Sequence, residues 1–419
     1  MPLTMRQHEA DMHQPALCEL LPIRDYLDNV IVRSNGALVA GYDLGGINSY
    51  YHSDETRNQT KYSLEALVRS LTERSMRLQV RFEVVEGLGE LPARYREQLR
   101  SDNPVVQNLD RVRLAAWKQK EQSGFYLTPM LNAYFYWDPR IHHEAIETGA
   151  GKKLGNLTGD WSISGAKCIQ RTRREHEDLV AEFESILKGV EQTLNTTGMA
   201  VRRLTDEEMF LELKRAMNPL LGDDIAYRRP ELTIDYRSAR EQAANTHIED
   251  DQETYIKIGG LLHSFLSLKD LPDATFPGIL RELLGLDFPL VINTEVSIPD
   301  QAERLKLFKG RMRMSAAQRD SHGGFKVNVD ARVAEGQLMQ TLQDLISSSL
   351  KSAQVSVVVA VRTSTPIQSR RDLEEQERVL ADRRQRALHA IMRMNGARGM
   401  PEDLAKRRLY INGLPGMTE

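Results

Sequence analysis

Leu78-Gln79-Val80-Arg81-Phe82-Glu83-Val84 alternates apolar and polar side chains at every position. Successive side chains of a strand point to opposite faces, so this stretch is expected to be a half-buried strand with one apolar and one polar face. It stands between two helical patterns. Upstream, Leu64, Leu67, Val68 and Leu71 recur at helical spacing within Ser63–Met76. Downstream, charge-rich helical sequence runs from Pro92 to Gln122. Strands that alternate with helices along the chain place the fold in the α+β class, with helices covering mixed α/β sheets.

Outward from this strand the patterns continue. Val30-Ile31-Val32 and Ala37–Leu44 flank Asn35-Gly36, a dipeptide that tolerates positive φ at both turn positions and signals a hairpin. Phe125–Trp137 reads as a strand, with Pro129 favouring an edge or a bulge. In it Tyr134 and Tyr136 alternate with Phe135 and Trp137, a core face and an exposed face. Thr148–Lys167 is rich in Gly and Ser and reads as a loop. Thr172 and Glu175 form a capping-box pattern ahead of an apolar stripe from Leu179 to Leu194, and Thr205 and Glu208 form another ahead of Met209, Leu213 and Met217. Pro219–Gln252 is polar and weakly periodic, with a short strand expected at Leu232–Tyr236.

Beyond it the expected order is strand Tyr255–Leu268, helix Phe276–Leu284, strand Pro289–Ile298, a helix after Pro299, a helix over Asp330–Lys351, buried strand Ala353–Arg362 and helix Arg370–Asn395. The organisation expected is an N-terminal tail (1–20), a first α+β domain (21–218), a linker (219–252), a second α+β domain (253–396) and a closing segment (397–419). Each domain is expected to be a helix-covered mixed sheet.

The 419 residues exceed one ordinary core. A net charge of −3 provides no global basic field for nucleic acid. Two cysteines, Cys18 and Cys168, make neither a disulfide framework nor a cysteine zinc site, and fit a reducing cytosol. The longest apolar run, Val355–Val361, is strand-sized, so no transmembrane segment is expected.

Candidate chemistry is sparse. Gly149-Ala150-Gly151-Lys152-Lys153-Leu154-Gly155 invites a nucleotide reading, but Ile146 occupies the first Gly position of a phosphate loop and Lys153 the hydroxyl position. His142-His143-Glu144 has adjacent histidines expected to point apart; His247, His263 and His322 are scattered. Ser164-Gly165-Ala166-Lys167 and Ser348-Ser349-Leu350-Lys351 match Ser-x-x-Lys without its companion motifs. Basic clusters at Arg171–Arg174, Arg383–Arg386 and Lys406–Arg408 read as solvated, ion-paired helix faces or as a surface for an acidic partner, DNA or anionic lipid. Asp223-Asp224 and Glu249-Asp250-Asp251 are the carboxylates an unrelated cleft enzyme would use. No catalytic, cofactor-binding or metal-ligating residue is assigned.

Three passages carry a resemblance. They are Leu21–Val30 leading through Ser34–Leu38 to Gly41–Gly46, then Tyr255–Ile258 through Leu268–Pro272 and Ile279–Leu284 to Val291–Thr294, and finally Asn412-Gly413-Leu414-Pro415-Gly416. In order and spacing the chain resembles the N-terminal half of the type IV secretion and conjugative-transfer ATPases, the CagE/TrbE/VirB class. The Leu-Pro-Gly turn is similar to the one that precedes the family's RecA-like motor. The resemblance implies a docking and assembly region without a phosphate-loop motor of its own, at the cytoplasmic face of the inner membrane. Its partners would be inner-membrane secretion components and neighbouring subunits, as a hexamer in the full-length family. ATP and magnesium are implied for the full-length family only, with none on this chain. A DNA-binding module of a conjugation apparatus is the alternative.

Overall fold

A computed structural model describes residues 17–47, 51–89, 91–122, 124–143, 165–220, 237–272, 274–320, 336, 339, 343 and 350–418. The chain is mixed α and β, and its described strands join in one antiparallel sheet. These are β1 (Ile23–Leu27), β2 (Val30–Arg33), β3 (Leu38–Leu44), β4 (Met76–Glu86), β5 (Leu127–Trp137), β6 (Val201–Arg203), β7 (Ile248–Glu249), β8 (Ile256–Ile258), β9 (Leu261–Asp270), β10 (Leu290–Ser297), β11 (Gln354–Arg362) and β12 (Arg398–Pro401). Their order is β1-β2-β3-β5-β4-β10-β11-β9-β8-β7, with β6 on β3 and β12 on β9.

The two expected sheet units therefore meet edge to edge. β4 has one neighbour, β5, within its own half, which leaves a row of backbone donors and acceptors open. β10 closes that row in register from Leu290 opposite Val84 to Ser297 opposite Arg77. The sheet is antiparallel throughout, not mixed.

Local chemistry explains most elements and several departures from expectation. The tight two-residue turn is made by Asp28 and Asn29, both at φ 58°, with Leu27 opposite Val30. At Asn35-Gly36 only Gly36 takes positive φ. The strand expected over Tyr255–Leu268 is a hairpin, because Gly259 and Gly260 both adopt positive φ and fold it into β8 and β9. Pro129 lies where β5 has passed the end of β3, which pairs only from Asn132 onward, so its missing N–H leaves no gap. Tyr134 and Tyr136 are buried along with Phe135 and Trp137, because helices cover both faces.

Helices α1 (Leu17–Leu20), α2 (Asp54–Ser70), α3 (Leu91–Glu97), α4 (Pro104–Gln122), α5 (Gly165–Asn195), α6 (Asp206–Met217), α7 (Ala239–Ala243), α8 (Arg281–Leu284), α9 (Gln301–Asp320), α10 (Arg370–Met392) and α11 (Lys406–Gly413) lie around the sheet. The Thr205–Glu208 capping box forms as expected at α6. Thr172 and Glu175 lie inside α5, which begins at Gly165, so no N-terminus falls there. α2, capped by Ser53, begins at Asp54, nine residues ahead of the expected start at Ser63. β11 is buried only in its second half, because β9 flanks only Val358–Arg362. The expected helix at Asp330–Lys351 and strand at Leu232–Tyr236 lie outside the described residues.

One face of the sheet is predominantly apolar. Leu38, Ala40, Phe135 and Leu78 pack under α2 and α5, where Trp137 stacks on Phe183 at 5.4 Å. Ile292, Val359, Val361 and Leu266 continue it under α10. The opposite face is covered by α6, α7 and α11, through Tyr26, Phe210, Leu213, Ala239, Tyr410, Leu414 and Met417. Ala239 and Ala243 of the expected linker are thus part of the core.

Candidate functional site

The polar side of the alternating strand is not a solvent face. Gln79 is fully buried and Arg81 nearly so. Cross-strand pairing sets Tyr134 opposite Gln79, and Asn132 and Asn293 on either side of Arg81. The result is a buried polar band across the centre of the sheet.

The C-terminal segment lies on this band. The Gln79 amide donates to Asn293 Oδ1 at 2.9 Å and to the carbonyls of Asn412 and Leu414 at 3.2 and 3.1 Å. Its own oxygen accepts from the Gly416 N–H at 2.9 Å. Arg81 Nε donates to the Gly413 carbonyl at 3.2 Å and its guanidinium pairs with Glu83. Arg33 donates to the Thr418 carbonyl and rests over the Tyr136 ring. Gly416 turns the chain at φ 72°, and a Cβ there would stand 2.6 Å from the Ile31 side chain. Glycine is therefore required twice over, by conformation and by space.

The electrostatics follow from burial. Desolvation opposes the Arg81 charge, but the adjoining Glu83 outweighs it and holds the guanidinium above its ordinary pKa. Glu212 of α6 accepts from Asn132 at 2.8 Å and from the Tyr134 hydroxyl. Burial raises its carboxyl pKa against those bonds, and burial with the neighbouring Glu212 charge keeps Tyr134 firmly protonated. Burial and then the nearby Arg362 charge push His263 down to about 3, so the imidazole is neutral.

Between α6, α11 and the sheet, next to this band, lies a cavity of about 160 Å³. Its walls include Arg215, His263, Phe265, Val291, Arg362 and Tyr410.

A second feature stands away from the sheet. α3 and α4 are inserted between β4 and β5. They contact each other through Tyr95 and Trp117, with rings 5.1 Å apart, and through a Tyr95 hydroxyl bond to Asp110 at 2.6 Å. Glu121 anchors the arm by accepting from the Leu88 N–H at 3.0 Å. The opposite side of α4 exposes Val105 (67%), Leu109 (60%) and Val112 (58%). Their spacing puts them on one stripe, with exposed Arg113 and Lys120 along one side.

The motifs singled out in the sequence lie elsewhere. The glycine-lysine loop at 149–155, His322, Asp223-Asp224, Ser164 and Ser348-Ser349 are outside the described residues. Lys351 donates to the carbonyls of Arg69 and Leu71 at 2.8 and 3.1 Å, which closes the C-terminus of α2. His142 and His143 do not point apart: both ring Nε2 atoms approach Glu182, at 3.8 and 3.0 Å. Among the described residues no cluster of His, Cys, Asp or Glu suits a metal ion, and no helix is long and apolar enough to cross a membrane.

Asp250 pairs with Lys406 at 3.3 Å and Arg407 at 3.6 Å, and Glu249 with Lys257 at 3.0 Å. Neither carboxylate lines the cavity beside the buried band. In the Arg383–Arg386 cluster, Arg383 donates to the Arg362 carbonyl and packs on Phe288, while Arg386 pairs with Asp287 and Asp382.

No family model matches this chain, and no curated protein matches it significantly.

Proposed function

We propose that the chain is a docking and assembly module of a type IV secretion or conjugative-transfer machine. In this reading it binds inner-membrane components at their cytoplasmic face and neighbouring subunits, as the resemblance implies. The observation that carries the proposal is the α3–α4 arm. Three aliphatic side chains held outward on a helix whose other side packs on α3 form a contact surface. Burying each is worth ~1.5–3 kcal/mol. Arg113 packs on Tyr95 beside Asp110 and Lys120 lies over Phe125, so the stripe is offered to a partner by its apolar area.

The buried band complements this role. It makes segment 409–418 one body with the central strands, so a displacement of the sheet is passed to that segment without slack. ATP and magnesium belong to the motor of the full-length family, and this chain contributes position. The DNA-binding alternative loses its main motive, since Arg383 and Arg386 are already engaged within the fold.

The test uses the whole chain and inverted inner-membrane vesicles from bacteria with and without a conjugation apparatus. Recovery with the apparatus-bearing vesicles alone is expected, with loss of recovery in the Val105→Asp/Leu109→Asp variant. Equal recovery on vesicles lacking the apparatus, or undiminished recovery of the double variant, would overturn the reading.

A further inference from the structure

The cavity beside the buried band is not needed to hold the C-terminal segment, and its composition is unusual for a void in a core. Arg362 and His263 are direct cross-strand partners on β11 and β9, so both side chains leave the same face of the sheet. Arg81, the neighbouring cation, is neutralised by Glu83. Arg362 has no ion pair among the described residues. His263 is 7% exposed, and its Nε2 has no hydrogen-bond partner among the described residues. The two carboxylates on the walls are engaged: Glu83 with Arg81, and Glu212 with Asn132 and Tyr134. A partly buried cation and an orphaned imidazole nitrogen thus face one space, and among the described residues no free carboxylate meets them. Such groups call for a partner, since a buried polar atom without one is costly.

The remaining walls are apolar. Phe265, Val291, Val358 and Tyr410 line the space. Ala360, set between Phe265 and Val291 in the register, is the small residue that leaves it open.

We propose that this cavity binds a small amphiphilic anion, a carboxylate or phosphate group on a short apolar body. Its charged end lies between Arg362 and His263 and its body lies against Phe265 and Val291. The arrangement supplies guanidinium N–H donors and an imidazole nitrogen at one end, and a dry slot at the other. Since α11 forms one wall through Leu409 and Tyr410, occupancy would also tighten the C-terminal segment on the sheet. The proposal is independent of the docking reading.

Hexanoate, hexanol and inorganic phosphate are the probes, each titrated into the full chain. The readouts are Tm and the imidazole ¹H–¹⁵N signals of histidine-labelled protein. Hexanoate is expected to raise Tm and shift the His263 signals, phosphate to do so at higher concentration, and hexanol to do neither. Arg362→Gln is expected to weaken hexanoate binding at least tenfold. Ala360→Leu fills the slot without touching the charges, so it keeps the test open if Arg362→Gln does not fold, and it should abolish the response. Unmoved His263 signals at millimolar hexanoate would overturn the proposal. So would an equal response to hexanol, or a hexanoate response that persists in Ala360→Leu.

Discussion

On the side of the sheet under α5 and α10, β4 presents Leu78, Val80, Phe82 and Val84. On the other side the same strand presents Gln79, Arg81 and Glu83, and both sides are covered. The first face is held by area. Its contacts are non-directional, and any well-fitting set of aliphatic side chains of the same volume would serve. The second face is held by direction. Gln79 meets two carbonyls and one N–H of the segment 412–416, all at set angles, so only one placement of that segment satisfies it. One strand thus combines an interchangeable packing surface with an addressed socket.

The largest effect is expected from breaking the socket. Gln79→Leu takes the partner from the Asn412 carbonyl, Asn293 Oδ1 and the Gly416 N–H, while the Leu414 carbonyl keeps the Met417 N–H. Each orphaned buried group costs ~1–3 kcal/mol, so for three groups a loss of about 3–9 kcal/mol in urea denaturation is expected. Gln79→Met, close in volume, should recover little of it. Next comes Ile292→Ala on the dry face, with an expected loss of ~2–4 kcal/mol. Here a volume-conserving swap, Ile292→Leu, should cost less than ~1.5 kcal/mol. A rescue of Gln79 by Met as complete as that of Ile292 by Leu would erase the distinction between the faces.

The polar face should also carry a pH signature. His263 is depressed to about 3 when folded against ~6.5 unfolded. The unfolded chain binds the extra proton between these values, so this contribution is present above pH ~6.5 and is lost as pH falls. At pH 5.5 the loss amounts to ~1.4 kcal/mol. His263→Gln should remove that slope while leaving the rest of the acid profile, measured by urea midpoints across pH. The smallest effect is expected at the arm: Val105→Asp/Leu109→Asp should change stability by less than ~0.5 kcal/mol. A larger loss would mean that the stripe is core rather than contact surface.

Much of this architecture was legible. The alternation in β4, the Thr205–Glu208 cap and the Leu179–Leu194 stripe of α5 each follow from local spacing, and local spacing is what a sequence displays. The joining of the two halves was not legible, because the partner of β4 lies about 210 residues away and strand pairing leaves no mark on either strand's own pattern. The polar band is visible as the polar face Gln79, Arg81 and Glu83 of a half-buried strand, but its cover is not. Period-two alternation separates the faces of a strand without saying what covers them. The Leu-Pro-Gly turn stands out by composition, yet the Ile31 side chain beneath Gly416 comes from a residue nearly the whole chain away. Histidine spacing failed in a similar way: His142 and His143 meet at Glu182, a residue supplied by α5.

The most direct test of the socket is amide hydrogen exchange at Gly416 in the intact chain. Protection equal to that of the central β4 amides is expected, opening only with global unfolding. Exchange at the rate of a frayed terminus, while β4 stays protected, would show that the segment is not built into the sheet.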